Sequence, residues 1–293
     1  MWRKTELPKF ERPLLGLALS GGAARGVAHV GILKVFEEQG VPIDFIAGTS
    51  AGALVGGAYA AGMTIAELEE LGRSLRWRDM GRLTLSRLGI QSNVRMEEYI
   101  RARFPITRFE DLRIPFAAVA TDLHSGKAVV MSGEGDLAIA IRASCALPGW
   151  YVPVTDEQGR QLIDGGLVAN VPSAIARSLG AEIVVAVDVN AEGAKFLDAP
   201  HSVIGVLFQS MMVVQRTAAT HQRQSADVVI SPKVGHIRWD EMARGDELLI
   251  AGEEAAREVV EEIKQLLAPP PLPPAPPPSR WALFRRRGDK QPV

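Results

Sequence analysis

The sequence predicts an α/β fold with a central, mostly parallel sheet, and three observations carry that expectation. Strand, helix, strand and helix patterns alternate within about 50 residues from Leu14 onward, which is the βαβ signature. Glu182 to Val189 (EIVVAVDV) is a near-continuous apolar run of the kind that parallel strands covered on both faces need. The chain has 293 residues, 47% of them hydrophobic and 23% charged, enough for one large α/β domain with an appendage or for two small domains.

The elements follow in order. Leu14 to Ser20 (LLGLALS) reads as a buried strand, followed by glycines and an amphipathic helix over 27–39. Gly40 stops that helix, and Pro42 starts the extended run Ile43 to Ala47, which feeds a tight turn at Ser50. Phe45 to Ala66 is a 22-residue stretch without a charge, with Gly48, Gly52 and Gly56 at four-residue spacing, which is membrane length. Its residues are mostly Gly, Ala, Ser and Thr, so a helix of small residues buried against a sheet explains it better. Further helices are expected over 64–75 and 94–103, then a pair of strands, Phe116 to Ala120 and Lys127 to Met131, around a turn at Leu123 to Gly126. Asp227 to Ile230 is another strand, and long helical patterns cover 202–223 and 239–267. No internal repeat is visible.

Residues 1–13 read as a polar N-terminal extension without a signal-peptide core, 14–267 as the folded domain, and 268–293 as a proline-rich linker with a basic, disordered tail. Eight of the ten residues Pro269 to Pro278 are proline, which favours an extended polyproline form. Ser279 to Val293 carries Trp281, Phe284 and Arg285-Arg286-Arg287, either a basic-aromatic foot for an anionic membrane or acidic partner, or a tail without a specific role. The net charge of -1 gives no field favouring nucleic acid. The single cysteine, Cys145, excludes an internal disulfide and any Cys-based metal cluster, and reads as a small buried residue. A reducing, cytoplasmic setting is the expectation.

Chemistry concentrates in three segments. Gly48-Thr49-Ser50-Ala51-Gly52 fits G-x-S-x-G at a strand-to-helix junction, where a serine is held with its hydroxyl exposed at a sheet edge. Side chains in place of the flanking glycines would collide with the turn. Gly21-Gly22-Ala23-Ala24-Arg25-Gly26 follows the first strand and offers backbone amides at a helix start. It is not a Walker loop, lacking G-K-[ST], and Ala23 breaks a dinucleotide G-x-G-x-x-G; an oxyanion hole, with the Gly22 and Ala23 amides as donors, fits equally well. Asp164-Gly165-Gly166 stands 114 residues beyond Ser50 and is either a turn or a carboxylate presented to a neighbouring loop. No histidine is an obvious third triad member. His201, His221 and His236 lie late enough in the chain, whereas His29 falls in the first helix and His124 in a turn.

Together these segments resemble the patatin-like phospholipases, in particular the bacterial branch related to neuropathy target esterase. The resemblance runs from about Leu14 to Leu249 and rests on the three motifs in their order. Arg142-Ala143-Ser144-Cys145-Ala146-Leu147-Pro148-Gly149 and Asn170-Val171-Pro172 support it. Ala23 departs from it, since the family's loop usually carries a third glycine there.

The resemblance implies a three-layer α/β/α domain and a Ser-Asp dyad in place of a triad. Ser50 would be the nucleophile and Asp164 the general base. The loop from Gly21 to Gly26 would hold the oxyanion, with Arg25 adding positive charge or forming a structural salt bridge. It implies no metal or cofactor, and a lipid ester as substrate: phospholipid, lysophospholipid or a simpler ester. An acyltransferase using the same acyl-enzyme, a non-catalytic adaptor on the same fold and a nucleotide-binding domain are the alternatives. Trp77 to Ile90 joins Arg78, Arg82 and Arg87 to Leu83, Leu85, Leu88 and Ile90, and reads as a mobile lid or membrane-docking element, or else as a packed loop.

Overall fold

The structure is a computed structural model that describes residues 12–191, 200 and 202–269. Most of the N-terminal extension, nearly all of the linker, the basic tail and His201 lie outside the described residues.

The chain begins with β1 (Leu15–Leu19), a 3-10 turn (Ala23–Val27), α1 (Ala28–Glu38), β2 (Phe45–Thr49) and α2 (Ala51–Ala60). Then come α3 (Ile65–Ser74), α4 (Trp77–Met80), the small ribbon β3 (Arg82–Leu83) and β4 (Gln91–Ser92), and α5 (Val94–Arg103). The middle holds β5 (Phe116–Asp122), β6 (Ala128–Ser132), α6 (Leu137–Ser144), β7 (Val154–Thr155), β8 (Gln161–Asp164), α7 (Gly166–Ala169) and α8 (Ser173–Ser178). β9 (Ile183–Val187), α9 (Val203–Gln222), β10 (Val228–Ile230) and α10 (Gly245–Leu267) complete the order.

β10, β9, β1, β2 and β5 lie side by side and parallel, while β6, β7 and β8 join antiparallel. The register around β5 sets the site. β6 pairs Ala117 to Thr121 along one edge. The opposite edge is shared in sequence: β2 pairs Phe116 to Val119, ending with Thr49 against Val119, and β8 takes over with Asp164 against Ala120. The residue after Thr49 therefore meets the end of β8 head-on.

Alternation along β1 separates two cores. Leu15, Leu17 and Leu19 face α1, α2 and α10, whereas Ala18 joins the thinner core under α8 and α9. The uncharged Phe45–Ala66 stretch is β2 and the buried α2, and no helix among the described residues is long and apolar enough to cross a membrane. Gly56 packs on the sheet, since a Cβ there would stand 2.9 Å from Ile46 Cγ2.

Two expected boundaries shift. The helix expected over 27–39 starts with the 3-10 turn, and the one expected over 239–267 starts at Gly245. The second shift has a cause: the Ile237 and Trp239 carbonyls accept hydrogen bonds from the Arg25 side chain and the Ala24 N–H, so this stretch cannot also wind into α10.

α1 and α10 cross in near backbone contact. A Cβ on Gly252 would lie 2.0 Å from Ala28 O, and one on Gly31 would lie 2.1 Å from Leu249 O. Helix propensity alone makes Gly→Ala favourable by about 1 kcal/mol. At this crossing the sign reverses, because two backbones must part to admit a methyl group. Gly252→Ala is expected to destabilise the protein by about 2 kcal/mol or more, read as a lower midpoint in thermal or urea unfolding; a raised midpoint would show that the crossing is loose.

Candidate active site

Ser50 sits between the end of β2 and the first turn of α2, with φ 52° and ψ -119°. For a residue with a Cβ this backbone is strained by about 1–3 kcal/mol, and only its surroundings hold it. Those surroundings are specific. The Ser50 N–H donates to Ser144 Oγ at 2.9 Å, and the Ser144 hydroxyl donates to Val119 O at 2.6 Å. Thr49 Oγ1 donates to Ala169 O at 2.7 Å. The flanking glycines act by close approach, as the sequence implied: a Cβ on Gly48 would lie 2.4 Å from Gly52 O, and one on Gly52 would lie 2.2 Å from Leu19 O. Gly26 admits Ala51, whose Cβ would be 2.4 Å from a side chain there.

Asp164 ends β8 at the position that faces the Ser50 turn. Its N–H donates to Ala146 O, its carbonyl accepts from Thr121 Oγ1 at 2.9 Å, and its Oδ1 accepts from the Gly166 N–H at 2.7 Å. Gly165 lets the chain turn away immediately, because a Cβ there would strike Val119 O at 2.1 Å. Oδ2 is buried and accepts no well-formed hydrogen bond among the described residues. The nearby Ser50 hydroxyl nevertheless favours the carboxylate. A contact that is close but imperfectly aligned is common in a site without substrate. Burial dominates and pushes the Asp164 pKa up to about 6, against the opposing effects of Ser50 and the Gly166 N–H.

The loop after β1 arches over the same point. The Gly21 N–H donates to Asn170 O, the Ala24 N–H to Trp239 O and the Arg25 N–H to Gly22 O. The Gly22 and Ala23 amides have no acceptor among the described residues. Ala23 has φ 48°, the left-handed region that a glycine would occupy without strain. The alanine that departs from the family's loop thus adopts a glycine's conformation.

Arg25 is buried and holds the loop from below. Its Nε donates to Ile237 O at 2.7 Å and its Nη1 to Asn190 Oδ1 at 3.0 Å, while Asn190 Nδ2 donates to Gly21 O at 2.8 Å. Burial lowers its pKa, Arg216 nearby lowers it further, and Glu241 opposes this. Arg25 donates to a carbonyl and an amide and pairs with no carboxylate among the described residues.

Two pockets meet at Ser50. One is apolar, lined by Leu54, Leu71, Leu75, Trp77, Met80 and Tyr151 among others, and holds about 630 Å³ of space including its mouth. The second is polar and brings Asp164, Asn170, Asn190 and Gln215 to the Gly21–Ala23 loop. Leu147 borders both. Cys145 lines the apolar pocket, and burial raises its thiol pKa beyond the ordinary range.

The described histidines lie elsewhere. His29 is buried, hydrogen-bonded to Ser20 O at 2.9 Å, and burial lowers its pKa to about 4. His236 pairs with Glu247, and His124 and His221 are exposed. Trp77 is anchored, donating through Nε1 to Asp240 O and meeting Trp239 edge-on at 5.4 Å. Of the segment from Trp77 to Ile90, the loop beyond Gly81 is the outward part, with Leu83, Leu85 and Leu88 exposed.

Sequence reasoning brought Ser50, Asp164 and the Gly21–Gly26 loop together and missed their supports. Ser144 was quoted only within a supporting stretch, and Thr121, Asn190 and Gln215 carried no local signal. Each acts through a contact far along the chain: Gln215, for example, reaches the pocket from α9.

Comparison with known proteins agrees with this architecture. Residues 17–177 match the patatin-like phospholipase family. An uncharacterised NTE family protein of Mycobacterium tuberculosis is 40% identical over 181 residues, 61% of this chain and 49% of that protein. The human patatin-like phospholipase domain-containing protein 6 is 35% identical over 203 residues, 65% of this chain and 14% of that protein. A patatin-like phospholipase domain-containing protein of Caenorhabditis elegans is 36% identical over 198 residues, 64% of this chain and 15% of that protein. The chain thus spans half or less of the curated relatives it matches. VipD from Legionella pneumophila shares the fold at a TM-score of 0.57 and 14% identity, covering 86% of this chain and 67% of that one. The chain belongs to the patatin-like phospholipase family.

Proposed function

We propose that the protein is a serine lipid acyl hydrolase working through Ser50 and Asp164. One observation carries this reading: a serine in strained backbone stands between two unsatisfied amides, an unpaired buried carboxylate oxygen and an apolar pocket. That combination supplies nucleophile, oxyanion donors, base and acyl site.

Asp164 Oδ2 takes the proton of the Ser50 hydroxyl as Oγ attacks the ester carbonyl carbon. The carbonyl oxygen, now an oxyanion, accepts from the Gly22 and Ala23 amides. The carbon–oxygen bond to the alcohol breaks, and that alcohol leaves with the proton held by Asp164. Water then gives a proton to Asp164 and attacks the acyl carbon. The tetrahedral oxyanion collapses, Ser50 departs as the proton returns to it, and the fatty acid is released. The apolar pocket takes the acyl chain, and the polar pocket takes the alcohol portion with its headgroup. A pKa of about 6 suits Asp164 to this work, since it is ionised at neutral pH yet more basic than an ordinary carboxylate.

The test is covalent labelling with a fluorophosphonate probe followed by peptide mass spectrometry. Phosphonylation of Ser50 is the expected result. A folded protein that stays unlabelled, or is labelled on another residue, would overturn the assignment.

A further inference from the structure

We infer that the outward face of α9 and the Thr84–Ile90 loop form one docking surface for an anionic lipid bilayer, flanking the mouth of the Ser50 cleft. This rests on the reading that the substrate is a lipid ester, and supplies what that reading lacks: how the cleft reaches esters held in a membrane.

Surface helices of a globular protein normally turn a polar face outward. In α9 the buried side carries Met212, Gln215 and Ala219, with Met212 and Gln215 lining the polar pocket. The outward side carries Val203, Val206, Leu207, Val213 and Val214, all exposed, and helical spacing places them on one stripe. Nothing in the described structure covers that stripe. Leu83, Leu85 and Leu88 project from the loop after Gly81, and Leu85 is fully exposed. The loop is pinned to the cleft rim, as the Ile90 N–H donates to Gly149 O and the Gln91 N–H to Trp150 O. Leu147, just before that rim, borders both pockets. The loop is thus tied beside the apolar pocket and α9 lies beside the polar one, the two pockets that meet at Ser50.

Charge selects the occupant. Gly81 to Arg95 contains the exposed Arg82, Arg87 and Arg95 and no acidic residue, and Ser202 to Ala226 contains no acidic residue either, in a chain with 34 acidic residues among 293. Arg216 and Arg223 lie off the stripe, Arg223 pairing with Asp188 and Arg216 lining the same pocket as that carboxylate. Isolated exposed leucines are ordinary. Exposed leucines beside the exposed Arg82 and Arg87, in a loop without carboxylates, match an anionic lipid surface: the leucines and the uncharged α9 stripe enter the acyl boundary, and the two guanidinium groups of the loop meet lipid phosphates.

The test uses the full chain in co-sedimentation with phosphatidylcholine vesicles, with and without phosphatidylglycerol. Wild type is expected to bind the anionic vesicles, less so at high salt. The paired changes Leu85→Glu with Leu88→Glu, and Leu207→Glu with Val214→Glu, are each expected to weaken binding by about tenfold or more, while turnover of a soluble short-chain ester stays at the wild-type rate. Wild type that ignores anionic vesicles would overturn the inference. So would a four-fold variant that sediments like wild type, which would move membrane contact to another part of the chain. Variants that dissociate a dimer with no change in vesicle binding would instead assign the stripe to a second copy of the chain. Binding is read without catalysis, so a protein that docks but resists fluorophosphonate would refute the hydrolase reading and leave this one standing.

Discussion

Asp164→Asn is expected to lower ester turnover by about 10⁴-fold or more while leaving the protein at least as stable at pH 8. Asparagine keeps an oxygen for the Gly166 N–H but cannot take a proton from Ser50. The stability half of the expectation follows from the carboxyl's raised pKa. Burial moves Asp164 from 3.8 to about 6, so between those values the folded chain holds a proton that the unfolded chain has lost. Stability therefore falls as pH rises through this window, by about 3 kcal/mol in all, and the loss is complete above the folded pKa. The variant lacks that charge, and its unfolding midpoint should be flatter between pH 4 and 7 than that of wild type. Wild-type kcat/KM should rise with pH through an apparent pKa near 6 and level off at neutral pH. A flat rate profile over that range, or a variant with ordinary turnover, would remove Asp164 from the base role.

Ser50→Gly separates chemistry from stability even more sharply. Turnover and fluorophosphonate labelling should both disappear, with a loss of about 10⁶-fold where background permits measurement. The melting temperature should nevertheless rise. Ser50 holds φ 52° and ψ -119°, backbone that glycine adopts freely, so the change relieves about 1–3 kcal/mol of strain. Glycine's greater freedom in the unfolded chain offsets about 0.4–1 kcal/mol of this. A net gain of up to about 2 kcal/mol should appear as a Tm higher by a few degrees. A Ser50→Gly protein that melts lower than Ser50→Ala would mean that the turn carries no such strain.

Much of this architecture was readable from periodicity. β1, β2, β5 and β9 announced themselves as apolar runs buried on both faces, and α5 as a helical period with Met96 and Ile100 on its one buried face. α6 and the β7–β8 hairpin did not: β8 has four residues, and its apolar content is the pair Leu162-Ile163. The motifs around Ser50 and Asp164 were visible because tight backbone approach demands glycine, and glycine is conspicuous in a sequence. Their clamps were not, since Ser144 and Asn190 gain their roles only from partners brought close by the sheet. Arg25 shows the same limit. Its position in the loop was evident, but its attachment is to Ile237, 212 positions further along the chain. The outward face of α9 was hidden for another reason: a helical period reveals an apolar stripe but not which side the protein covers.

The sharing of one β5 edge by β2 and β8 bears on how such a site survives change. Ser50 and Asp164 are 114 residues apart, yet the strands that carry them end on Val119 and Ala120, neighbours in one chain. The strand ends that position them, Thr49 and Asp164, are thus offset by a single step of β5, about 3.3 Å of rise. Loops and helices between them can lengthen, shorten or be replaced over evolutionary time without altering that step. What cannot change is the register of β2 and β8 relative to each other along β5, and a one-residue slip of either strand alone would separate the pair more surely than a large insertion in a connecting loop.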